Sequence, residues 1–284
     1  MDLLNLDPLL RQALAEDLGR GDITTDAILG RTGSSTASEI QCQATQFARE
    51  ELVLAGWPIF IRVFQLLGEV KAQPRFEEGA PVSLGETVGT VTGAASLLLK
   101  GERVALNFLQ RMCGVATLTR SYVERVAHTQ AKVLDTRKTT PLWRVVEKYA
   151  VRVGGGHNHR FGLDDGILIK ENHIAVAGGV REAIEACRSA MNQLQKIEIE
   201  VRNDEEILEA LSTGADILLL DNMTSEQVHK AVEMVGGRCL IEVSGGVDES
   251  NIIQYAEAGV DLISSGVLTH SSPSSDLSLI LETQ

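Results

Sequence analysis

The sequence predicts an α/β protein in two parts, an N-terminal α+β open-sheet sandwich domain and an incomplete, open α/β barrel of about seven strands. Two observations predict the barrel. From position 132 onward, short apolar segments alternate with amphipathic helical segments, and the strand-end residues Glu200, Asp221 and Glu242 follow one another at 21-residue intervals. Apolar strands that repeat with intervening helices are typical of a parallel sheet covered by helices. Six or seven such units, rather than eight, indicate a barrel that does not close.

The first third of the chain predicts the α+β domain. Leucines at helical spacing predict a helix over 3–18, and the following GRGDITTDAIL has turn residues and no clear period. A strand is predicted over 36–44 and an apolar helix over 56–67. Several short strands with glycine turns are predicted over 71–95.

The segment 97–126 is predicted to be mostly helical, with an interruption near Cys113-Gly114, and to connect the two domains. Arg103, Asn107 and Arg111 are spaced four residues apart and therefore share one face of this helix. That spacing alone fits an exposed polar stripe as well as a functional surface.

The barrel strands are predicted at 132–136, 167–170, 196–201, 216–221, 239–244 and 261–266. The helices that separate the later strands are predicted at 180–193, 204–211, 225–235 and 249–258. We assign residues 1–114 to the N-terminal domain, which the C-terminal residues 271–284 are expected to join, and residues 115–270 to the barrel.

Composition excludes several classes of protein. An isoelectric point of about 5.0 and a formal net charge of −13 argue against general nucleic-acid binding. No apolar run approaches the roughly 18 residues that a membrane span needs, and the first residues are acidic, unlike a secretory signal. We therefore expect a cytoplasmic protein that acts without a membrane. The four cysteines are far apart and form no C-x-x-C pair, which disfavours disulfides and structural zinc.

One part of this acidic chain is basic. The segment 100–173 contains 13 Lys+Arg against 7 Asp+Glu. Its basic residues lie beside glycines and at the ends of apolar runs, rather than along one polar helix face. This placement favours a cleft that attracts small anions over a solvated surface.

Polar or small residues also end nearly every predicted barrel strand, where the loops of a barrel converge on one mouth. These residues are Asp135, Arg137, Lys138, Lys170, Glu200, Asp221, Glu242, Ser244, Ser265 and Gly266. The last two strand ends carry the small-residue loops SGGV (244–247) and SSGVLTH (264–270). Such loops let backbone N–H groups approach an anion, so the sequence predicts a phosphate site there.

The motifs DTRKTTP, EKYAVRVGGGHNHR, LIKENHI, IEIEV, LLLDN, VSGGV and GVLTH occur in this order between positions 135 and 270. In order and spacing they resemble the quinolinate phosphoribosyltransferases, a type II phosphoribosyltransferase family. The resemblance extends back through GERVALNFLQRMCGVAT to EDLGRGDITTDAI and so covers nearly the whole chain. It implies transfer of a 5-phosphoribosyl group from phosphoribosyl pyrophosphate to quinolinate with loss of CO2, which gives nicotinate mononucleotide for NAD biosynthesis.

The resemblance also implies a role for each site residue. The expected catalytic residues are Lys138, Lys170, Glu200 and Asp221, of which Glu200 and Asp221 would hold Mg²⁺ and ribose hydroxyls. The 5-phosphate would be seated by Ser244, Gly245, Gly266 and His270. The dicarboxylate would be bound by Arg137, His159, Arg160 and, from the second subunit of a homodimer or larger homo-oligomer, Arg103. The choice of Glu200 over Glu198, two residues earlier on the same strand face, rests on the resemblance.

One departure and three alternatives stay open. Family members commonly read TTPG after the DTRK motif, whereas this chain has Leu142-Trp143, so the backbone of the loop after Lys138 is expected to differ. The acceptor could instead be nicotinate. Lys170 could form a Schiff base in a barrel lyase. A third alternative is a protein that binds phosphoribosyl pyrophosphate without turnover.

Overall fold

The computed structural model describes residues 6–30 and 40–283, which divide into two compact units. The first unit takes in the chain up to Leu118, Val145–Gly154 and the chain from Ser272 onward. The second unit consists of Thr119–Arg144 and Gly155–Ser271. The segment Val145–Gly154, which the sequence assigned to the barrel domain, thus clusters with the first unit.

The first unit contains an antiparallel sheet with helices. Its described helices are α1 (Asp7–Leu18), α2 (Ile23–Gly30), α3 (Trp57–Gln65) and parts of α4 (Ala95–Val126) and α5 (Arg144–Val153). Its strands are β1 (Gln41–Ala48), β2 (Leu52–Val53), β3 (Val70–Pro74), β4 (Pro81–Val82), β5 (Thr87–Ala94) and β12 (Leu277–Thr283). Four of them form a sheet in the order β12-β1-β5-β3, so the C-terminal strand completes the N-terminal sheet. Alternate residues of β1 are buried, as expected of a strand with one face on a core.

Most of the predicted N-terminal elements are confirmed. The positions 3–5 of the first predicted helix and 36–39 of the first predicted strand lie outside the described residues. One segment was predicted wrongly, because GRGDITTDAIL contains α2. Its N-terminus is capped by Asp22, whose carboxylate accepts the backbone N–H of Thr25 at 3.0 Å. Both Ile23 and Ile28 are exposed, which explains why the segment shows no amphipathic period.

The predicted interruption near Cys113-Gly114 is also wrong, since α4 runs without a break for 32 residues. Gly114 has another purpose in this helix. A Cβ atom added at Gly114 would lie 1.8 Å from the carbonyl oxygen of Pro273. The glycine is therefore required by a close approach of the chain that precedes β12, not by a break in the helix.

The second unit contains a six-stranded parallel sheet. Its strands are β6 (Lys132–Leu134), β7 (Ile167–Ile169), β8 (Ile197–Val201), β9 (Ile217–Asp221), β10 (Leu240–Ser244) and β11 (Leu262–Ser264). Its helices beyond α4 and α5 are α6 (Glu171–Ala177), α7 (Val180–Ala190), α8 (Asp204–Thr213), α9 (Ser225–Val235), α10 (Ile252–Glu257) and α11 (Val267–His270). Each predicted barrel strand and each predicted helix of this part is present within a few residues.

The sheet order shows an open barrel. The strands are arranged β6-β11-β10-β9-β8-β7. The last strand, β11, therefore pairs with the first, β6, as in a closed barrel, and the opening lies between β6 and β7. His157 forms a single parallel bridge to Leu134 on the outer side of β6 and supplies a minimal seventh strand. The described strands show no pairing between this edge and β7, and the prediction of an incomplete α/β barrel is confirmed.

Helix caps fix where the strand-end loops turn into helices. The Asn203 side chain accepts the backbone N–H of Glu206 at the start of α8, and Thr224 forms a reciprocal capping box with Gln227 at the start of α9. Both helices end at glycines with a left-handed backbone. Among the described helices, none is long and apolar enough to cross a membrane.

Candidate active site

A cavity of about 460 Å³ lies at the carboxyl ends of the parallel strands, within the second unit. Ten of the twelve site residues predicted from the sequence line it: Arg137, Lys138, His159, Arg160, Lys170, Asp221, Ser244, Gly245, Gly266 and His270. Glu200 does not line the cavity, but its Oε2 accepts a hydrogen bond from Nζ of Lys170 at 2.8 Å. Arg103 is exposed on the part of α4 that belongs to the first unit.

The carboxylates of Glu200 and Asp221, at the ends of β8 and β9, lie near Lys170 and Lys138, which follow β7 and β6. The pKa of Asp221 is raised by burial and by the nearby charge of Glu200, and it is lowered in part by Lys170 and Lys138. Lys170 is the residue before α6, where its backbone N–H donates to Nδ1 of His173 at 2.9 Å. His173 therefore holds the backbone at Lys170, whose side chain pairs with Glu200.

The two small-residue loops are tied to each other and to Lys138. The hydroxyl of Ser265 donates to the carbonyl of Val247 at 2.9 Å, and the hydroxyl of Thr269 donates to the carbonyl of Lys138 at 2.8 Å. A Cβ atom on Gly266 would lie 2.9 Å from Cδ of Lys138 and 3.0 Å from the ring of His270. Glycine thus lets the side chains of Lys138 and His270 lie against the loop, so an anion bound by its backbone N–H groups would also lie beside these two residues.

The NHR segment is held by a buried strand-end carboxylate. Asp135 accepts hydrogen bonds from the side chain of Asn158 at 2.5 Å and from the backbone N–H of His159 at 2.9 Å. The Arg160 guanidinium donates to the carbonyl of Gly166 at 2.8 Å, while its buried Nε has no hydrogen-bond partner among the described residues. Burial and the nearby charge of Arg137 lower the pKa of Arg160. An anion in the cavity would relieve both the unpaired N–H and the repulsion between the two cations.

Two buried carboxyl groups beside His159 were not among the predicted site residues. Glu198 Oε2 and Glu242 Oε1 lie 3.2 and 3.6 Å from Nε2 of His159. Burial, and then the charge of Glu198, raise the pKa of Glu242 to about 7. The sequence shows both glutamates on barrel strands, but their meeting depends on the pairing of β8, β9 and β10.

The loop after Lys138 has the backbone of a glycine turn although it lacks the glycine. The N–H of Trp143 donates to the carbonyl of Thr140 at 3.0 Å, and Leu142 has a φ of 67°. With Pro141 at the second position, this is the arrangement of a type II turn, whose third position favours glycine. Leu142 is 77% exposed, so the departure from TTPG leaves the turn in place at the cost of strain.

Replacing Leu142 with glycine is expected to raise the free energy of unfolding by about 0.5–1 kcal/mol. Relief of a left-handed leucine contributes about 1–2 kcal/mol, and the greater freedom of an unfolded glycine takes back about 0.5–1 kcal/mol. Urea denaturation measures the difference. Leu163→Gly is the matched control, because Leu163 is as exposed but has no left-handed backbone, and it should not stabilise. Equal effects of the two substitutions would contradict the strain at Leu142.

Fold and cavity together define a class of protein, an α/β-barrel protein with a site suited to small anions at the carboxyl ends of its strands. Comparison with protein families then identifies the family. The model of the quinolinate phosphoribosyl transferase C-terminal domain matches residues 115–280, and the model of the N-terminal domain matches residues 22–113. The chain belongs to the quinolinate phosphoribosyltransferase family.

Individual relatives agree with this assignment. The chain is 41% identical over 280 residues to a protein of Bacillus subtilis named probable nicotinate-nucleotide pyrophosphorylase (carboxylating). The matched region covers 98% of this chain and 94% of the relative. NadC from Streptococcus pyogenes has a similar crystal structure, with 42% identity, a TM-score of 0.94 and coverage of 100% and 99% of the two chains. The nicotinate-nucleotide pyrophosphorylase of Francisella tularensis gives 36% identity, a TM-score of 0.92 and coverage of 99% and 98%. The family that the motifs predicted is thereby confirmed.

Proposed function

We propose that this protein transfers the 5-phosphoribosyl group of phosphoribosyl pyrophosphate to quinolinate and releases nicotinate mononucleotide, pyrophosphate and CO2, a step of NAD biosynthesis. The observation that carries the proposal is the convergence of ten predicted residues on one cavity. Glycine loops lie at the ends of β10 and β11, two lysines and two carboxylates lie at or after the ends of β6 to β9, and two arginines lie nearby. These three groups suit a sugar phosphate, a pyrophosphoryl ribose and a dicarboxylate.

Phosphoribosyl transfer depends on positioning and electrostatics. Ser244, Gly245, Gly266 and His270 would seat the 5-phosphate. Lys138 and Lys170 would stabilise the negative charge that develops on the departing pyrophosphate while the ribose gains oxocarbenium character. The ion pair between Lys170 and Glu200 keeps the lysine ammonium at one end of the cavity. It also makes Lys170 a poor match for the Schiff-base alternative, which requires a free amine.

Mg²⁺ fits the carboxylates of Glu200 and Asp221. Hard oxygen donors suit this ion, and burial and the charge of Glu200 raise the pKa of Asp221, so a cation bound beside the two carboxylates would be favourable. Glu200 and Asp221 would hold the ion, which when bound supplies charge neutralisation for pyrophosphate. The same carboxylates would accept hydrogen bonds from the ribose hydroxyls.

Quinolinate would bind at Arg137 and Arg160 beside His159. The guanidinium fork matches a planar carboxylate, and the unpaired Nε–H of Arg160 offers one such donor. The pyridine nitrogen attacks the ribose with its own lone pair, so the step needs no strong base. The positively charged ring then accepts the electron pair released when the adjacent carboxylate leaves as CO2.

The test is the formation of nicotinate mononucleotide and CO2 by the purified protein, given phosphoribosyl pyrophosphate, Mg²⁺ and either quinolinate or nicotinate. We expect turnover with quinolinate only. Turnover with nicotinate only would overturn the acceptor. Absence of turnover with both acceptors, together with tight binding of phosphoribosyl pyrophosphate, would favour the binding-only alternative.

We further propose a cytoplasmic homodimer or larger homo-oligomer in which Arg103 completes the site of a second subunit. Arg103 is exposed, unlike Arg111 on the same helix face, which is paired with Glu147. Mixing inactive Arg103→Ala subunits with inactive Lys138→Ala subunits should restore partial activity, because one hybrid site contains both residues. Subunit exchange without any recovery of activity would sink this arrangement.

A further inference from the structure

A cavity that binds anions has two buried carboxyl groups in its wall. The side chains of Glu198 and Glu242 are 8% and 1% exposed, and both approach the ring of His159. The reaction described above gives neither glutamate a role. Buried carboxyl groups beside a dicarboxylate site oppose binding unless they are neutral or have a function of their own.

The hydrogen bonds of His159 argue against a metal ion at this cluster. Nδ1 accepts the backbone N–H of Arg160 at 2.7 Å, so in the neutral ring the proton is on Nε2. Nε2 in turn faces Glu198 at 3.2 Å. A metal bound at Nε2 would displace the ring proton to Nδ1, where it would meet the Arg160 N–H. The side chains of His159, Glu198 and Glu242 lie close enough together to bind a metal ion. However, both nitrogens of the His159 ring already take part in hydrogen bonds.

The arrangement instead places one proton on Glu242. Two carboxyl groups this close and this buried cannot both ionise, and Glu198 already faces the N–H of His159. The charge of His159 and a hydrogen bond from Ser264 favour the ionised form of Glu242, but burial and the charge of Glu198 outweigh both and raise its pKa. Glu242 lines the cavity, and its Oε1 has no hydrogen-bond partner among the described residues.

The proposed reaction consumes a proton. When the C–C bond to the departing carboxylate breaks, its electron pair stays on the ring carbon beside the positively charged nitrogen. Nicotinate mononucleotide has a hydrogen on that carbon, so an acid must form the new C–H bond. We propose that Glu242 is this acid, an inference that rests on the proposed function: its carboxyl proton passes to the ring carbon as CO2 leaves, and the resulting carboxylate regains a proton from solvent after product release.

The other groups of the cavity are less suited to this step. Both ring nitrogens of His159 are engaged by Arg160 and Glu198. Lys170 is paired with Glu200, and the lysines and arginines are needed as permanent cations. The pKa of about 7 for Glu242, caused by burial and by Glu198, is that of a group that still holds its proton near neutral pH and can release it.

The test compares wild-type protein with Glu242→Gln in a single turnover with quinolinate, quenched at short times. Glutamine keeps the size and a hydrogen-bond donor but has no acidic proton. We expect one equivalent of pyrophosphate per site at nearly the wild-type rate. Nicotinate mononucleotide and CO2 should then form about 10²–10⁴ times more slowly, the usual contribution of a general acid. Glu242→Asp keeps a carboxylic acid, so in this variant nicotinate mononucleotide and CO2 should again form together with pyrophosphate.

The pH dependence gives a second readout. Because the pKa of Glu242 is raised to about 7, the wild-type rate of CO2 release should be highest below pH 7 and fall above it, whereas Glu242→Gln should lack this limb. Equal slowing of pyrophosphate and nucleotide formation in Glu242→Gln, or coupled formation at the wild-type rate, would overturn the role of Glu242. If instead wild-type protein releases no pyrophosphate with quinolinate, the proposed function itself fails.

Discussion

Replacing Arg160 with methionine is expected to lower kcat/KM for quinolinate by about 10²–10³-fold, which corresponds to about 3–4 kcal/mol. Methionine keeps an unbranched stem but removes the charge and the guanidinium fork. In the free protein Nη1 of Arg160 is already bonded to Gly166 and Nε is unpaired, so the remaining donors are available to a carboxylate. Steady-state kinetics with quinolinate varied at saturating phosphoribosyl pyrophosphate measure the loss.

The same substitution should not destabilise the free protein. Burial and Arg137 lower the pKa of Arg160, which means that the structure without ligand disfavours this charge. The free energy of unfolding should therefore stay equal or rise, as is common for residues kept for function. Loss of kcat/KM together with loss of stability would indicate a structural role instead.

Arg202→Met is the matched control for Arg160→Met. Arg202 is bonded to Glu171 at 2.8 Å and to Glu206 at 2.7 Å, is exposed, and does not line the cavity. We expect kcat/KM to change by less than about threefold, because an exposed ion pair contributes about 0–1 kcal/mol. An equal loss of kcat/KM in the two variants would remove the specific role of Arg160.

The sequence predicted the barrel and most of the cavity because both depend on local patterns. A repeating strand-helix unit places every strand end at one mouth, so Lys170 and Asp221 could be brought together without knowledge of side-chain contacts. The basic character of the segment 100–173 indicated an anion, and the family motifs supplied the roles. None of these steps required the pairing of any two particular strands.

What the sequence missed depends on contacts between distant segments. Glu198 and Glu242 meet because β8 and β10 both pair with β9, and only that register brings their carboxyl groups to one histidine. Gly114 reads as a helix breaker until the carbonyl of Pro273 is placed against it. At Leu142 the missing glycine predicted a changed loop, but the backbone there keeps the left-handed conformation that favours glycine.

Replacing Arg111 with methionine is expected to lower the free energy of unfolding by about 3–5 kcal/mol, the usual effect of leaving one member of a buried ion pair without its partner. Within the first unit, Nε and Nη2 of Arg111 contact Oε1 of Glu147 at 3.2 and 2.9 Å, and Nη1 donates to the carbonyl of Ser272 at 2.5 Å. The Glu147 side chain is 0% exposed. Urea denaturation followed by circular dichroism measures the loss.

Two further variants separate the buried charge from the lost packing. In Arg111→Met combined with Glu147→Gln the carboxylate is absent, so a large part of the stability should return, because a neutral amide costs less to bury than an unpaired ion. Arg103→Met, on the same face of α4 but exposed, should change stability by less than about 0.5 kcal/mol. If the double variant is no more stable than Arg111→Met, the loss comes from packing of the arginine stem and its bond to Ser272. In that case the ion pair with Glu147 is not the main contribution of Arg111 to the stability of α4.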